Sequence, residues 1–319
     1  MASSHCAKRT GELRLAVVAE GLAFPEGPVA LEDGDIVVAE IAAGRVSRLS
    51  RDGRRSCVAQ LGGGPNGLAL GPGTRLVICN NGGCFTWTRR GGGLVPHRRS
   101  PDYDGGRIEI LDLASGRWER LYDRADGLPL SAPNDLVCDA MGGFWFSDHG
   151  LPDSTPAERE GQGICYARLD GSRINRVWRL ESPNGVGLSP DGRTLYAAET
   201  FTGRLWAARV EGPGQLGTRR IVAELGHSGQ RLLDSLKVEA SGAVVVAGIM
   251  TGGLVRVTPD DGAWTEYRMP DPVTTNLCFA GADLKMLYVT LSSSGRLARL
   301  RWPHAGLSLA HSKERSRHE

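Results

Sequence analysis

Six oxygen-bearing side chains stand at matching places in six related segments of this 319-residue sequence, each beside a short apolar strand pattern. They are Glu26, Asn66, Asn134, Asn184, Asp234 and Asn276. Any single Asn or Asp beside Pro or Gly can be explained by a turn whose backbone its side chain caps. Such a turn does not explain the set, because two carboxylates brought together in a partly buried place need a compensating cation. Carboxylate and amide oxygens suit Ca²⁺ and Mg²⁺, so the six positions predict a divalent metal site.

These positions recur because the chain repeats one unit six times. Each unit has a polar start, an alternating apolar strand, a Gly or Asp turn and a second strand, as in SPNGVGLSPDGRTLYAAET at residues 182–200. The units begin at Phe24, Gly64, Ala132, Ser182, Leu232 and Thr274, at intervals of 40, 68, 50, 50 and 42 residues. A propeller blade takes roughly 40–50 residues, so the sequence predicts an all-β, six-bladed β-propeller of mostly four-stranded blades. Its innermost strands line a central, metal-containing channel on which the six side chains converge.

The repeats fill a single domain. We predict this propeller domain over residues 13–303, with a flexible N-terminal tail at 1–12 and a solvated C-terminal tail at 304–319. The early segment ELRLAVVAEGL is expected to close the ring against the last blade. A blade cannot bury both of its faces alone, so stability should come from the packing of neighbouring blades.

Two insertions interrupt the repeat. The longer occupies residues 84–106, and the second occupies 149–163. Loops of this length in a compact domain are usually functional lids or disordered excursions. Trp87 and Tyr103 in the longer insertion would favour an apolar substrate or would serve only to close a lid.

Composition argues against several classes of function. The formal net charge is +2 and the arginines are scattered, which gives no support for binding to nucleic acid or to a membrane surface. No run approaches the roughly 18 apolar residues of a membrane span, and no apolar secretory core follows the N-terminus. The seven cysteines are widely spaced without a CxxC pair, which is typical of free thiols in a reducing cytoplasm and not of a zinc site. We expect a cytoplasmic protein that binds a small molecule, and the sequence indicates no oligomeric state.

Four motifs make the chain resemble the regucalcin and gluconolactonase family of six-bladed propellers over residues 20–302. They are FPEGP, PND followed by GGFWFSD, SPNGVGLSPDGRTLY, and LDSLKVEASG. The resemblance implies one divalent ion, held by Glu26, Asn134, Asn184 and Asp234. Ca²⁺ is the first expectation, with Mg²⁺, Mn²⁺, Zn²⁺ and Fe²⁺ as alternatives. The Arg and Asn that orient sugar hydroxyls in gluconolactonase-like members have no matching positions here, where a longer loop replaces that region.

The expected reaction is hydrolysis of a small, gluconolactone-like lactone. The ion would polarise the ring carbonyl while an activated water attacks. Asp234 is the predicted general base, with direct nucleophilic attack by Asp234 or water activated by the ion as alternatives, and Glu26 balances charge. The residues expected to bind substrate are Asn66, Asn276, Asp148, His149 and Glu199. Two other interpretations stay open: a related hydrolase of organophosphates or hydrophobic lactones, which the family's phosphofluoridate-hydrolysing relative suggests, and a non-catalytic calcium-binding propeller.

Overall fold

The computed structural model describes residues 8–9, 13–155, 157–226 and 232–311. Six antiparallel sheets, each with four strands in blade order, make up the body of the molecule. The first strands of the sheets contact one another in cyclic order around a channel. The predicted all-β, six-bladed propeller is confirmed. Within the described part of the chain, the helical segments are two short 3₁₀ turns, Ile41–Ala43 and Glu158–Gly161.

The strands are numbered along the chain, and the innermost strand of each blade comes first. Strands β1 (Lys8–Arg9) and β2 (Leu15–Ala19) precede blade 1, which contains β3 (Pro25–Ala30), β4 (Ile36–Glu40), β5 (Arg45–Leu49) and β6 (Arg55–Gln60). Blade 2 contains β7 (Pro65–Leu70), β8 (Arg75–Asn80), β11 (Arg107–Asp112) and β12 (Trp118–Tyr122), with the hairpin β9 (Phe85–Arg90) and β10 (Gly93–Arg99) inserted. Blade 3 contains β15 (Pro133–Cys138), β16 (Gly143–Asp148), β17 (Gly163–Arg168) and β18 (Ile174–Trp178), preceded by β13 (Arg124–Ala125) and β14 (Leu128–Pro129).

The second half of the ring follows the same plan. Blade 4 contains β19 (Pro183–Leu188), β20 (Thr194–Glu199), β21 (Arg204–Gly212) and β22 (Gln215–Glu224). Blade 5 contains β23 (Leu232–Val238), β24 (Val244–Ile249), β25 (Gly253–Val257) and β26 (Trp264–Arg268). Blade 6 contains β27 (Thr274–Ala280), β28 (Met286–Leu291) and β29 (Arg296–Arg301).

The ring is closed by the N-terminal strand. β2 pairs antiparallel with β29 and becomes the fourth strand of blade 6, so the closure predicted for ELRLAVVAEGL is confirmed. β1 adds a short parallel edge to β26 in blade 5. The predicted flexible tail at residues 1–12 otherwise lies outside the described residues.

Apolar clusters between neighbouring blades form the core. Each blade is covered on both faces, so its middle strands are buried with little alternation, as in β4, where all five residues are buried. The cluster between blades 2 and 3 joins Val77 and Cys79 to Phe144 and Phe146, and all four side chains are 0% exposed. Burial of a large apolar side chain stabilises the fold by about 1.5–3 kcal/mol. Stability therefore comes from the packing of one blade on the next.

The C-terminal segment contacts the propeller. Leu307 N–H donates to the backbone oxygen of Val238 at 2.9 Å, and Gly306 N–H donates to that of Leu284 at 2.8 Å. Residues 307–310 line an apolar cavity together with the last residues of the six inner strands. The first part of the predicted tail at 304–319 thus contacts the propeller, with Leu307 and Ala310 packed against its core clusters, while the predicted boundary at residue 304 stays a prediction. The rest of that tail lies outside the described residues.

None of the helical segments in the described residues has the length or the apolar character needed to cross a membrane.

Candidate metal centre

Every inner strand is bulged at its candidate ligand. In blade 1, Glu26 pairs with Ala39 and Val29 pairs with Val37, so three steps on β3 oppose two on β4. The same extra residue falls after Pro65, Pro133, Pro183, Leu233 and Thr274 in the other five blades. A bulge bends the strand and changes the direction of its side chains. Six bulges at one end of the channel therefore separate the ligand positions from the regular strands that follow them.

Glycines after the ligands let the inner strands approach closely. A Cβ on Gly27 would lie 2.3 Å from the backbone oxygen of Asn66, and one on Gly67 would lie 2.4 Å from that of Asn134. A Cβ on Gly185 would meet the backbone of β23 at 2.4 Å. Gly27 also has φ +51°, a conformation that favours glycine. The EGP and PNG motifs therefore bring neighbouring ligand strands together.

Buried acceptors fasten the loops that lead into four of the ligand strands. Each acceptor binds a backbone N–H two or three residues before a candidate ligand. The pairs are Glu40 Oε2 with Ala23 N (2.8 Å), Asn80 Oδ1 with Gly64 N (2.8 Å), Asp148 Oδ1 with Ala132 N (2.7 Å) and Gln162 Oε1 with Ser182 N (3.2 Å). Buried hydrogen bonds of this kind fix backbone position, so the ligand residues start from rigid loops.

Three amide oxygens at the ligand end have no donor. The Oδ1 atoms of Asn66, Asn134 and Asn184 are buried and accept no hydrogen bond. A buried acceptor left without a partner costs about 1–3 kcal/mol, so three such atoms together are unfavourable unless they bind something. A hard cation is the partner that fits carbonyl-type oxygens. The described residues contain no group of three His, Cys, Asp or Glu placed to hold a metal, so the candidate centre depends on these amides.

Two carboxylates complete the ligand end. Glu26 is 3% exposed and Asp234 is 8% exposed. Burial raises the pKa of Glu26 to about 7, although hydrogen bonds from Asn276 and Gly27 partly offset it. Burial, followed by the negative charges of Glu26 and Asp135, raises the pKa of Asp234 well above its ordinary value. Burial first, and neighbouring negative charges second, thus make ionisation of both groups unfavourable, which is the situation that a bound cation reverses.

The structure contains an ion pair beside the ligands that the sequence analysis did not predict. Lys237 Nζ lies 3.2 Å from Asp135 Oδ2, and the Asp135 side chain is 1% exposed. With Glu26 and Asp234 ionised, these four side chains carry a formal charge of −2, which matches one divalent cation. The signal in the sequence is the carboxylate inside PND together with a lysine in the otherwise apolar end of LDSLKV.

Asn66 and Asn276, both predicted to bind substrate, have different surroundings. Asn66 shares the buried, donor-less oxygen of the two amide ligands. Asn276 instead uses its whole amide within the protein: Nδ2 donates to Glu26 Oε2 at 2.8 Å, and Oδ1 accepts from Leu277 N at 2.8 Å. Asn276 therefore orients Glu26, and its predicted contact with a substrate hydroxyl stays a prediction.

Asp148 and Glu199, both predicted to bind substrate, accept hydrogen bonds from the protein, and their contact with a substrate stays a prediction. Asp148 is 0% exposed and accepts from the backbone of Ser131 and Ala132, and burial raises its pKa to about 6. Glu199 accepts from Trp206 Nε1 at 3.1 Å and is 6% exposed. Both carboxylates turn into the protein from strand ends, where they hold neighbouring segments in place.

His149 lies next to a ligand strand. Its Nδ1 is 3.1 Å from the backbone oxygen of Pro183, the residue before Asn184, and its ring centroid is 6.2 Å from that of Phe201. Burial lowers the pKa of His149, which favours the neutral imidazole. The predicted role of His149 at the substrate stays a prediction.

Fold and site together define a six-bladed propeller with an oxygen-lined site at one end of its channel. The profile of the SMP-30/Gluconolactonase/LRE-like region matches residues 24–293, and the chain belongs to that family. The resemblance inferred from the four motifs is thereby confirmed.

The relatives include enzymes that hydrolyse different bonds. The 6-deoxy-6-sulfogluconolactonase of Pseudomonas putida is 28% identical over 277 residues, which are 85% of this chain and 84% of that protein. The diisopropyl-fluorophosphatase of Loligo vulgaris is 23% identical over 314 residues, or 91% and 92% of the two chains. The crystal structure of a calcium-binding regucalcin from Agrobacterium tumefaciens superposes with a TM-score of 0.74 at 18% identity, covering 94% of this chain and 97% of that one. At that identity the superposition shows the fold alone.

Proposed function

We propose that the chain is a divalent-metal-dependent lactonase that opens the ring of a small lactone. The observation that carries this proposal is the meeting of three donor-less amide oxygens with two buried carboxylates at one end of the channel. A relative named as a lactonase aligns with 85% of the chain, which favours a catalytic metal site over a purely structural one. Similarity and site chemistry thus support the same reaction.

The ligand set suits an oxygen-preferring ion. Glu26, Asn134, Asn184 and Asp234 would hold it, and Asn66 offers one more buried oxygen. Ca²⁺ is the first choice, with Mg²⁺, Mn²⁺, Zn²⁺ or Fe²⁺ as alternatives. When bound, the ion supplies electrophilic polarisation of the lactone carbonyl.

Side chains of the protein transfer the proton and balance the charge during hydrolysis. One water adds across the ring ester: its oxygen bonds to the acyl carbon, the bond from acyl carbon to ring oxygen breaks, and a proton passes to the ring oxygen. Asp234 takes the proton from the attacking water at its carboxylate and returns it to the departing oxygen. Burial, followed by the negative charges of Glu26 and Asp135, raises the pKa of Asp234, which opposes the lowering that a bound cation would cause. Asn276 keeps Glu26 oriented through the Nδ2–Oε2 hydrogen bond.

A phosphorus ester or fluoridate is the second candidate substrate class. The fluorophosphatase relative aligns with 91% of this chain, and the same buried carboxylates and amides would serve attack at phosphorus. The two candidates differ in the electrophile and share the metal centre.

The test is a hydrolysis screen on the purified full chain after treatment with a chelator. Aldonolactones, δ-valerolactone, homoserine lactones, aromatic lactones and phosphotriesters are offered with Ca²⁺, Mg²⁺, Mn²⁺ or Zn²⁺, and acid release is followed with a pH indicator. We expect lactone hydrolysis that disappears on chelation and returns with an oxygen-preferring ion. Hydrolysis that survives thorough chelation contradicts the metal requirement, and hydrolysis of phosphotriesters alone favours the second candidate. Metal binding without any hydrolysis favours the non-catalytic calcium-binding propeller.

Isotope labelling separates the two roles of Asp234. In a single turnover in H₂¹⁸O, attack by water places ¹⁸O directly in the product acid. Attack by the Asp234 carboxylate forms a mixed anhydride and releases the ring oxygen, and water that then attacks the Asp234 carboxyl carbon leaves an unlabelled enzyme oxygen in the first product and ¹⁸O in the enzyme. Mass spectrometry of product and protein distinguishes these results.

For cellular location we propose the cytoplasm. Six cysteines of the described residues are free, and five of them are buried. Such thiols persist in a reducing compartment. Fractionation of cells that produce the full chain, followed by immunodetection, tests the location.

A further inference from the structure

A cleft that is partly open to solvent lies between blades 1 and 2. Its walls include Ile41, Ala42, Asn81, Phe85, Trp87 and Asp102. Ile41 N–H donates to the backbone oxygen of Phe24 at 3.2 Å, two residues before Glu26. Gly63 also lines the cleft and lies three residues before Asn66. The cleft is therefore built on the loops that lead to two of the candidate metal-site residues.

The insertion at residues 84–106 forms one wall of this cleft as a fastened hairpin. At its tip, Leu94 N–H donates to the backbone oxygen of Ser293 in blade 6 at 2.8 Å. At its base, Tyr103 Oη donates to the backbone oxygen of Ser131 in blade 3 at 2.6 Å. The hairpin thus reaches from blade 3 to blade 6 across the ligand end of the ring. These two hydrogen bonds hold the hairpin against the ring at both of its ends.

Aromatic side chains of the hairpin face the loop that leads to Glu26. The ring centroid of Trp87 lies 4.9 Å from that of Phe24 and 6.1 Å from that of Phe85. Phe24 is buried and has φ +59°, an unusual conformation for a bulky residue. Tilted aromatic contacts at these distances are favourable, so Trp87 is an ordered apolar wall and not a loose surface residue.

Asn81 gives the cleft an unpartnered hydrogen-bond donor. Its side chain is 2% exposed, and its Oδ1 accepts from Gly83 N at 2.9 Å and from Cys84 N at 3.3 Å. These two bonds fix the amide, and Nδ2 is left buried without an acceptor. A fixed buried donor on a cleft wall is satisfied when a ligand oxygen reaches it.

The charge of the cleft selects against anions. Asp102 contributes a carboxylate to the wall, and none of the described residues lining the cleft is basic. The arginines of the hairpin, such as Arg89 and Arg90, are exposed and lie outside the lining set. A sulfonated or phosphorylated substituent would therefore meet a like charge, and the guanidinium behind Gly63, that of Arg107, is already paired with Asp104 and Glu109.

We propose that this cleft binds an apolar, uncharged substituent of the lactone, with Asn81 Nδ2 donating to an oxygen acceptor on that substituent. The substrate class is then an aryl- or alkyl-substituted lactone with an ether or carbonyl oxygen, in place of a polyhydroxylated or anionic sugar lactone. This inference rests on the proposed lactonase function. Phe85 and Trp87 pack against the apolar part of the substituent, and the hydrogen bond from Asn81 Nδ2 fixes the orientation of the substituent.

The first test compares four δ-lactones on the metal-loaded full chain: δ-valerolactone, its phenyl-substituted and 4-methoxyphenyl-substituted derivatives, and glucono-δ-lactone. We expect kcat/KM for the methoxyphenyl lactone to exceed that for δ-valerolactone by about tenfold or more, since an apolar pocket discriminates by about that factor per group. Glucono-δ-lactone is expected to be the poorest of the four. Equal rates for substituted and unsubstituted lactones, or a preference for gluconolactone, overturn the inference.

Variants locate the preference in the cleft. Trp87→Ala should lower the ratio of methoxyphenyl-lactone to valerolactone kcat/KM about tenfold, and Ala42→Phe should do the same by filling the cleft without altering the hairpin. Asn81→Asp keeps the acceptor for Gly83 and Cys84 but removes the donor, so it should reduce only the preference for methoxyphenyl over phenyl. Trp118→Ala, on the outer strand β12, is the matched control and should leave all ratios unchanged. Unchanged ratios in both Trp87→Ala and Ala42→Phe contradict the proposal.

Binding of lactams separates this inference from the proposed activity. Valerolactam and its 4-methoxyphenyl derivative resist hydrolysis, and calorimetry measures their affinity for the wild type and for Ala42→Phe. Tighter binding of the aryl lactam that is lost in Ala42→Phe supports the cleft even if no lactone is hydrolysed, a result that would count only against lactonase activity. Lactone hydrolysis with no aryl preference in either rate or binding overturns the cleft and leaves the activity standing.

Discussion

The two ends of the channel are built from the same six inner strands and have opposite chemistry. At the starts of the strands, bulges and close glycine contacts gather two buried carboxylates and three amide oxygens that accept no hydrogen bond. At the far ends the strands are regular, and apolar side chains meet residues 307–310 around a cavity. Asp135 and Lys237 form an ion pair in the region between. One strand can therefore serve binding at its irregular start and packing at its regular end.

The largest expected effect comes from breaking the oxygen-lined end. Asp234→Asn keeps the size of the side chain but removes a charge from the ligands and the proposed base. We expect kcat for lactone hydrolysis to fall by about 10³-fold or more, within the range for loss of a general base, with weaker Ca²⁺ binding by calorimetry. Circular dichroism should show an intact propeller. A variant with normal rates would remove Asp234 from the mechanism.

The ion pair between the two ends gives the next effect. Lys237→Met leaves the Asp135 carboxylate buried and unpaired, which should lower the free energy of unfolding by about 3 kcal/mol in urea titrations with chelator present. The double variant with Asp135→Asn should recover most of that loss, because the uncompensated charge is gone. If the single and double variants are equally unstable, the pair is not a charge-balancing device.

The loop before Asn134 makes stability at the ligand end depend on pH. Burial raises the pKa of Asp148 from its ordinary 3.8 to about 6, so the folded protein holds this proton more tightly than the unfolded chain does. Its contribution is fully present below pH about 4 and is lost as the pH rises through about 6, on the order of 2–3 kcal/mol. Urea titrations of the wild type and of Asp148→Asn between pH 4 and 7 measure it. The curves should differ in slope across that window, and parallel curves would contradict the assignment.

The smallest effect is expected at the apolar end. Ending the chain at residue 304 uncovers the cavity that residues 307–310 line, and we expect a loss of about 2 kcal/mol of unfolding free energy from the exposed apolar surface. Lactone kcat should change less than twofold at a temperature where both proteins are folded. A chain ending at residue 311 is the matched control. A large loss of kcat without a loss of stability would show that the two ends are coupled.

The difference between the two ends of the channel also shows which features could be predicted from the sequence. The six blades and the positions of Glu26 and Asn184 were predictable, because a repeat places equivalent residues at equivalent points around an axis. The protein partners of Asp148 and Glu199 were not predictable, since a sequence does not say whether a side chain at a strand end turns toward the channel or back into the blade. The bulges depend on the register of the partner strand, which composition and spacing do not encode.

Two other features needed the fold to become visible. The Asp135–Lys237 pair joins residues 102 positions apart, and nothing local links them. The segment AGLSLA resembles a strand too short to count as part of a blade, and its role depends on a cavity formed by all six blades. Long-range proximity of this kind is a property of the closed ring.

Closure of the ring by β2 and β29 has a consequence for synthesis of the protein. The strand that completes blade 6, β2, is synthesised long before its partner Arg296–Arg301, because the other strands of the ring lie between them in the chain. Until then, blade 6 cannot close, and the growing chain carries an unpaired strand edge of the kind that joins other chains. Such non-local pairing also folds slowly. Premature termination before residue 296 should therefore yield an open, aggregation-prone chain.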